Sequence, residues 1–262
     1  MTEIRKELER LIELNHAEQW VPNHIAFQHL FEGHRDRIIA GLIECLTDED
    51  AEFRQLAAGL LEEAGKRAEP AVHALIQRLS DEDNSVVVTA MFALKGLAPF
   101  ARSAIPALKE LMANHEPHSR IVAAATIGKI APEDQSTVPI LVAALDDPNS
   151  LNRATACEFL GERKHSAVLS TMNLFDDPDF LVRFAASKAY GKFTGNWMYV
   201  VAICVAALKD DNETNRAIAA ECLLSIRRFV QDHLDLLTMA IADCSWQARI
   251  DIEEVLHQLK KP

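Results

Sequence analysis

A 33-residue period runs through nearly the whole of this 262-residue chain. It emerges when the last apolar residue before each acidic turn is taken as an anchor: Leu46, Leu79, Met112, Leu145, Phe175, Leu208 and Ile241, at intervals of 33, 33, 33, 30, 33 and 33. Two positions beyond the anchors stand Asp48, Asp81, Asn114, Asp147, Asp177, Asp210 and Asp243. Four beyond stand Asp50, Asp83, Glu116, Asn149, Asp179, Asn212 and Ser245, nearly all side chains that accept from the free N–H groups of a helix start. Eight beyond stand Arg54, Val87, Arg120, Arg153, Arg183, Arg216 and Arg249. Alanine follows eleven beyond in six of the seven repeats (Ala57 to Ala219, with Ile252 last), and a large apolar residue fifteen beyond (Leu61, Leu94, Ile127, Leu160, Tyr190, Leu223, Leu256). The last two columns have the i, i+4 spacing of one buried helical stripe, and the small residue lets a neighbouring helix come close.

Each repeat therefore predicts a pair of helices. The second helices fall at about 51–64, 85–98, 118–130, 150–163, 180–193, 213–227 and 246–259, and the first lie before the anchors, as in Pro70 to Leu79 and Val138 to Leu145. Pro70, Pro106 and Pro139 sit near first-helix starts, where a missing N–H is tolerated, and Ser103, Ser136 and Ser166 are candidate caps there. With 9 Gly and 10 Pro in the chain and few aromatics, propensity also favours helix over strand. The expected fold is all-α, a right-handed α-solenoid of seven helical hairpins over residues 37–262. Residues 1–36 fall outside the register; Ile4, Leu8, Leu11 and Ile12 form one apolar stripe, expected to cap the open face of the first repeat.

These residues resemble the HEAT-repeat family, whose repeats carry an apolar first helix, an Asp in the turn and a Val-Arg-x-x-Ala opening to the second helix; Val182-Arg183-Phe184-Ala185-Ala186 follows that pattern. The short period is similar to that of bacterial HEAT proteins of the phycobilisome-lyase type. The resemblance implies that the turn Asp of one repeat meets the Arg of its neighbour, so that Asp48, Arg54, Asp81, Arg120, Asp147, Arg153, Asp177, Arg183, Asp210, Arg216, Asp243 and Arg249 form a structural ladder. The one missing Arg (Val87) and the one missing Asp (Asn114) fall in consecutive repeats, as loss of a single rung would require. A catalytic constellation converges on one place, whereas these columns recur along the chain.

The remaining signals argue against a reaction centre. A net charge of −12 opposes approach to phosphate backbones and anionic lipid, so neither nucleic acid nor membrane is an expected partner. Five widely spaced cysteines without a C-x-x-C pair read as reduced cytoplasmic thiols, and no apolar run approaches the ~18 residues of a membrane span. His24, His29, His34, His115 and His118 never place two imidazoles one helical turn apart on one face, as zinc binding on a helix needs. Di-iron hydroxylases built from HEAT repeats carry His-Glu pairs where this chain has Arg54-Gln55, Val87-Val88 and Arg120-Ile121. No phosphate-binding or nucleophile motif is present, so no catalytic residue, metal or cofactor is expected.

Function is then expected on the groove face of the second helices. Val88, Phe92, Ile121 and Phe184 put apolar side chains at positions that such repeats usually keep polar, with Met91 and Val122 widening the apolar arc, while Glu158, Glu221 and Glu254, interrupted by Lys188, make the C-terminal half acidic. The pattern suits a protein partner with apolar anchors toward one end and basic residues toward the other, an amphipathic helix being one candidate. A non-enzymatic interaction scaffold is the first expectation. A bilin-lyase-like attachment factor is a second, implied only by the family resemblance, and an acidic inhibitor of a basic target is a third.

Overall fold

The computed structural model describes residues 35–230 apart from 115 and 164, together with residues 5, 6, 9, 10, 238, 250, 253, 256 and 257. Every regular element among the described residues is helical. Two compact units divide the chain, Met1–Ile140 and Leu141–Pro262.

In the first unit α1 (Arg35–Cys45) pairs with α2 (Ala51–Ala64), α3 (Val72–Arg78) with α4 (Asn84–Gly96), and α5 (Ile105–Asn114) with α6 (Pro117–Ile130). The division between units falls within α7 (Val138–Ala143). In the second unit lie α8 (Ser150–Arg163), a 3₁₀ segment at Ser166–Leu174, α9 (Phe180–Thr194), α10 (Met198–Ala207), α11 (Glu213–Ser225) and the short α12 (Arg227–Val230). Each unit is thus a stack of helical hairpins. Of the hairpin around Ile241 only residues 238, 250, 253, 256 and 257 are described, and of the expected cap at 1–36 only residues 5, 6, 9, 10, 35 and 36.

The turn chemistry explains where the second helices begin. Asp50, Asp83, Asp179 and Asn212 are N-caps whose side chains accept from Glu52, Ser85, Leu181 and Thr214 N–H groups. Asn149 accepts from Leu151 N–H in the same way at 2.9 Å. The Asp two residues earlier braces the cap from outside: Asp48, Asp81, Asp147, Asp177 and Asp210 each accept from the backbone N–H of the cap residue, at 2.8 to 3.1 Å. One repeat departs from this. Glu116 stands at the cap of α6 without a side-chain cap bond, and Pro117 follows it as the first helical residue, where its fixed φ already suits the helix.

The caps expected at Ser136 and Ser166 are corrected by one or two residues. Asp134 caps the turn before α7, accepting from both Ser136 N–H and Ser136 Oγ, and His165 Nδ1 accepts from Ala167 N–H before the 3₁₀ segment. Ser103 lies inside a 3₁₀ turn, Arg102–Ala104, whose cap residue Ala101 has no side-chain bond to give. In both turns the acceptor that reaches the free N–H stands upstream of the serine, a carboxylate oxygen at Asp134 and a ring nitrogen at His165.

Packing follows the columns. Ala57, Ala90, Ala123, Ala156, Ala186 and Ala219 are wholly buried, and so are Leu61, Leu94, Ile127, Leu160 and Leu223. Each such leucine contributes about 2 kcal/mol of apolar burial. Close approach of second helices is most evident between α8 and α9, where a Cβ added at Gly161 would stand 2.8 Å from Ala189 Cα. Glycine also ends α9: Gly195 takes φ 78°, the left-handed region, and donates to Gly191 O at 2.9 Å.

Candidate functional site

In two of the turns the arginine does two things with one guanidinium. In the first unit Arg54 forks onto Asp81 of the following repeat through Nε and Nη2, at 2.9 and 2.7 Å, while Nη1 donates to the Asp48 and Glu49 carbonyls of its own turn. In the second unit Arg153 forks onto Asp177 at 2.8 and 2.9 Å and donates to the carbonyls of Asp147 and Pro148. Arg183 and Arg216 close their own turns identically, on the carbonyls of Asp177 and Pro178 and of Asp210 and Asp211. Arg120 donates to the Met112 carbonyl instead. At the N-terminal end, Arg5 Nε donates to Asp48 at 2.8 Å, occupying the acceptor that a preceding repeat's arginine would take. Asp243 and Arg249 lie outside the described residues.

Burial would by itself raise the Asp81 carboxyl, but the Arg54 fork, the Asp83 N–H and Arg78 hold it below the ordinary carboxylate value. Asp177 is held down in the same way by Arg153 and the Asp179 N–H. Side chains of Arg54 and Asp81 are only 6% and 2% exposed, so this rung is an internal brace and is closed to a ligand.

The apolar residues proposed for the groove separate by unit. Met91 and Ile121 are core residues, 0% and 2% exposed, which corrects their reading as an open surface. The reason is local. Met91 lies on the flank of α4 that meets α6, where Thr126 Oγ1 donates to the Met91 carbonyl at 3.3 Å, and on α6 every residue from Ile121 to Gly128 is buried. Val88 and Phe92 are half-buried. In the second unit Phe184 is half-buried, stacked on Phe180 at 5.8 Å with the Lys188 ammonium 5.3 Å from its ring centre. Glu158 and Glu221 are exposed, and Glu254 lies outside the described residues.

Two residues that the groove reading passed over are the more open ones. Leu151 is 59% exposed and Leu181 46% exposed, each the second residue of its helix, with its N–H held by the cap and its side chain left in solvent. Both occupy the position six beyond the anchor, where other repeats carry Glu52, Ser85, His118, Thr214 and Gln247, so the departure is visible in the sequence. Because α8 and α9 pack side by side, equivalent positions on them are separated by about one helix spacing, roughly 10 Å. Around them Ala154 and Phe184 are half-buried, Ala217 is exposed, and Glu158, Glu162 and Glu221 supply negative charge. Met198 and Tyr199 are also exposed at the start of α10, with Tyr199 against Phe175 and Tyr190 at 4.8 and 5.5 Å. Among the described residues of the first unit, Phe100 is the one exposed large apolar side chain.

Helical hairpins joined by Asp-braced, Arg-closed turns define a helical-repeat protein of the solenoid class. Residues 72–150 match the family of HEAT repeats. No curated protein matches the chain in sequence. Among solved structures it is similar to a chain of the CpcE–CpcF complex of phycocyanin lyase from Nostoc sp. PCC7120, at 20% identity over 84% of this chain and 94% of that one, with a TM-score of 0.54. It is also similar to YibA of Escherichia coli, at 19% identity over 100% of this chain and 93% of that one, with a TM-score of 0.50. At such identities the likeness is one of fold. No described helix is long and apolar enough to cross a membrane.

Proposed function

We propose that the chain is a non-enzymatic scaffold that binds a protein partner on the exposed face of second helices α8 and α9, with Leu151 and Leu181 as the apolar anchors. The observation that carries this reading is the pair of leucines at an otherwise polar position, more than two-fifths exposed in both cases, on adjacent helices. Apolar area left in water at this density marks an interaction surface, since its burial contributes about 25 cal/mol per Å² toward association.

An amphipathic helix fits the spacing. Residues i and i+7 on a helix stand about 10.5 Å apart on nearly one face, close to the separation of equivalent positions on packed helices. Basic residues flanking its apolar stripe would meet Glu158, Glu162 and Glu221, and a partner acid would meet Lys188 and Lys192. Such charges speed and orient encounter more than they tighten the complex. The same arrangement accommodates a basic target of an acidic inhibitor, and steep weakening of binding with salt would favour that version. Among the described residues it is likeness of fold alone that favours lyase chemistry, so a bilin-attachment role stays secondary.

The test is affinity capture from the native cell with wild-type chain and with Leu151→Asp/Leu181→Asp. Both sites are exposed, so the variant should fold with an unchanged far-ultraviolet spectrum. Partners retained by the wild type should fall at least tenfold. Equal retention would overturn the assignment of this face.

A further inference from the structure

The first elements of the fifth and sixth hairpins are without charge. From Ser166 to Phe175 and from Phe193 to Leu208 there is no Asp, Glu, Lys, Arg or His, in a protein of net charge −12. The first helices α1, α3 and α5 expose Glu44, His73, Lys109 and Glu110. Helix α7 is uncharged too, but the side chains it exposes are Pro139 and Ala143. On the fifth and sixth hairpins Leu169, Met172, Met198 and Tyr199 are 39 to 46% exposed, half of all the large apolar side chains left open among the described residues. A monomer seldom leaves so many together in water.

Local backbone geometry gathers them on one face. Ser166–Leu174 is a 3₁₀ helix of nine residues, whereas such helices seldom exceed three or four. The Val168 and Phe175 N–H groups donate three residues back, to the His165 and Met172 carbonyls at 3.0 and 3.2 Å, and the buried Thr171 hydroxyl donates to Val168 O at 2.7 Å. With three residues per turn, every third side chain falls in line. Val168 and Thr171 form a buried row, and Leu169, Met172 and Phe175 form an outward one. An α-helix would turn each member of that row by about 60° from the last and scatter it. Phe175 meets Tyr199 of α10 at 4.8 Å between ring centres, with Tyr190 edge-on to both rings at 5.6 and 5.5 Å. These rings join the row to α10, where Tyr199, Ala202 and Ala206 have the spacing of one helix face and are all exposed.

We infer that this uncharged face is where two copies of the chain associate about a two-fold axis. A different protein is commonly selected by complementary charge, and this face has none to offer. A second copy needs none, because it brings the same uncharged surface and no charge is buried unpaired. The face also supplies both halves of a close fit, protruding Leu169, Met172 and Tyr199 and the small Ala202 and Ala206. A two-fold axis lets each copy seat its large side chains on the small ones of the other. Tyr and Met without acids or lysines is the composition of an interface core, and homodimer interfaces are the more apolar class. Two elements about 18 and 15 Å long give a contact smaller than the standard ~800 Å² per partner, so the dimer dissociates on dilution. Net charge works against it: two copies at −12 repel at long range, and salt screens that repulsion. The inference is independent of the partner reading for α8 and α9, where salt would weaken a basic ligand instead.

The experiment is sedimentation velocity on the full chain, at about 5 and about 200 µM to bracket a small interface, in about 50 and about 500 mM sodium chloride. A reversible monomer–dimer equilibrium should appear, and its dissociation constant should fall severalfold at the higher salt. Met172→Asp on the 3₁₀ helix and Ala202→Arg on α10 alter exposed positions and should each weaken association at least tenfold with an unchanged far-ultraviolet spectrum. Phe100→Asp, at an exposed apolar residue of the first unit, should dimerise like the wild type. A wild-type chain that stays monomeric at the higher concentration in both salts would overturn the inference. So would Met172→Asp and Ala202→Arg dimers as tight as those of the wild type. Capture of a monomer by vesicles of uncharged phosphatidylcholine would also overturn it, by giving the face to lipid.

Discussion

The two units use one turn design and dispose of their surplus apolar residues in opposite ways. In the first unit Met91, Ile121 and Val122 are drawn into the core, and α6 is buried along most of its length. In the second, Leu151 and Leu181 stand in solvent on helices whose caps and arginine-closed turns match those of the first. Hydrophobicity at a helix position therefore does not distinguish core from interface. The position relative to the cap does, because a second-residue side chain points back over the turn while the stripe at eleven and fifteen beyond the anchor faces its neighbours.

That contrast predicts a graded set of stability changes. The largest is for Met91→Ala, which opens a cavity in the first unit and should lower unfolding free energy by about 3 kcal/mol in urea denaturation. A loss under about 0.5 kcal/mol would mean that Met91 is not enclosed. Next is Arg54→Ala, which strands the buried Asp81 carboxylate as well as two turn carbonyls and should cost about 2 kcal/mol. By contrast Arg102→Ala, which breaks the Arg102–Glu133 pair between side chains 63% and 62% exposed, should leave the midpoint unmoved.

The same rung sets a pH dependence. A carboxyl with a lower pKa folded than unfolded stabilises the fold above its unfolded value near 4 and loses that contribution as pH falls through the folded value. Asp81 and Asp177 are both depressed, so the stability they supply should be complete at neutral pH and fade on acidification below about 4. Asp81→Asn should flatten that part of the profile, and an unchanged acid limb would remove Asp81 from the account.

Smaller still is Gly161→Ala in the second unit. The added methyl meets Ala189 backbone at 2.8 Å and should cost about 1–2 kcal/mol through separation of α8 and α9. Gly96→Ala serves as its control: the added carbon meets nothing nearer than Glu62 O at 3.9 Å, so stability should hold or rise slightly. The smallest effect belongs to Leu151→Ala and Leu181→Ala, each expected to change stability by less than about 0.5 kcal/mol because little burial is lost. A loss of 2 kcal/mol at either would place that side chain in the core and break the comparison.

Much of this fold could be read from spacing alone. Helical class, repeat length and the acceptors that start second helices follow from columns such as Asp50, Asp83 and Asp179, since cap chemistry is local and survives translation from one repeat to the next. First helices were harder. Ser166–Leu174 is a 3₁₀ segment where an α-helix would satisfy the same apolar pattern, and nearby Asp134 and His165 displace the serines as caps. The site was least legible, because burial of a flank residue such as Met91 depends on which neighbour closes over it, and a period says nothing about that. Leu151 and Leu181 were within reach of the sequence, as leucines in a column otherwise polar or charged.

The most direct test of the binding face places a photo-reactive phenylalanine derivative at position 151 and, in a separate chain, at Ser85, the exposed equivalent in the first unit. After irradiation in the native cell, the account predicts covalent adducts to another protein from position 151 at least tenfold more abundant than from position 85. Equal yields from the two positions, or adducts from position 85 alone, would contradict it.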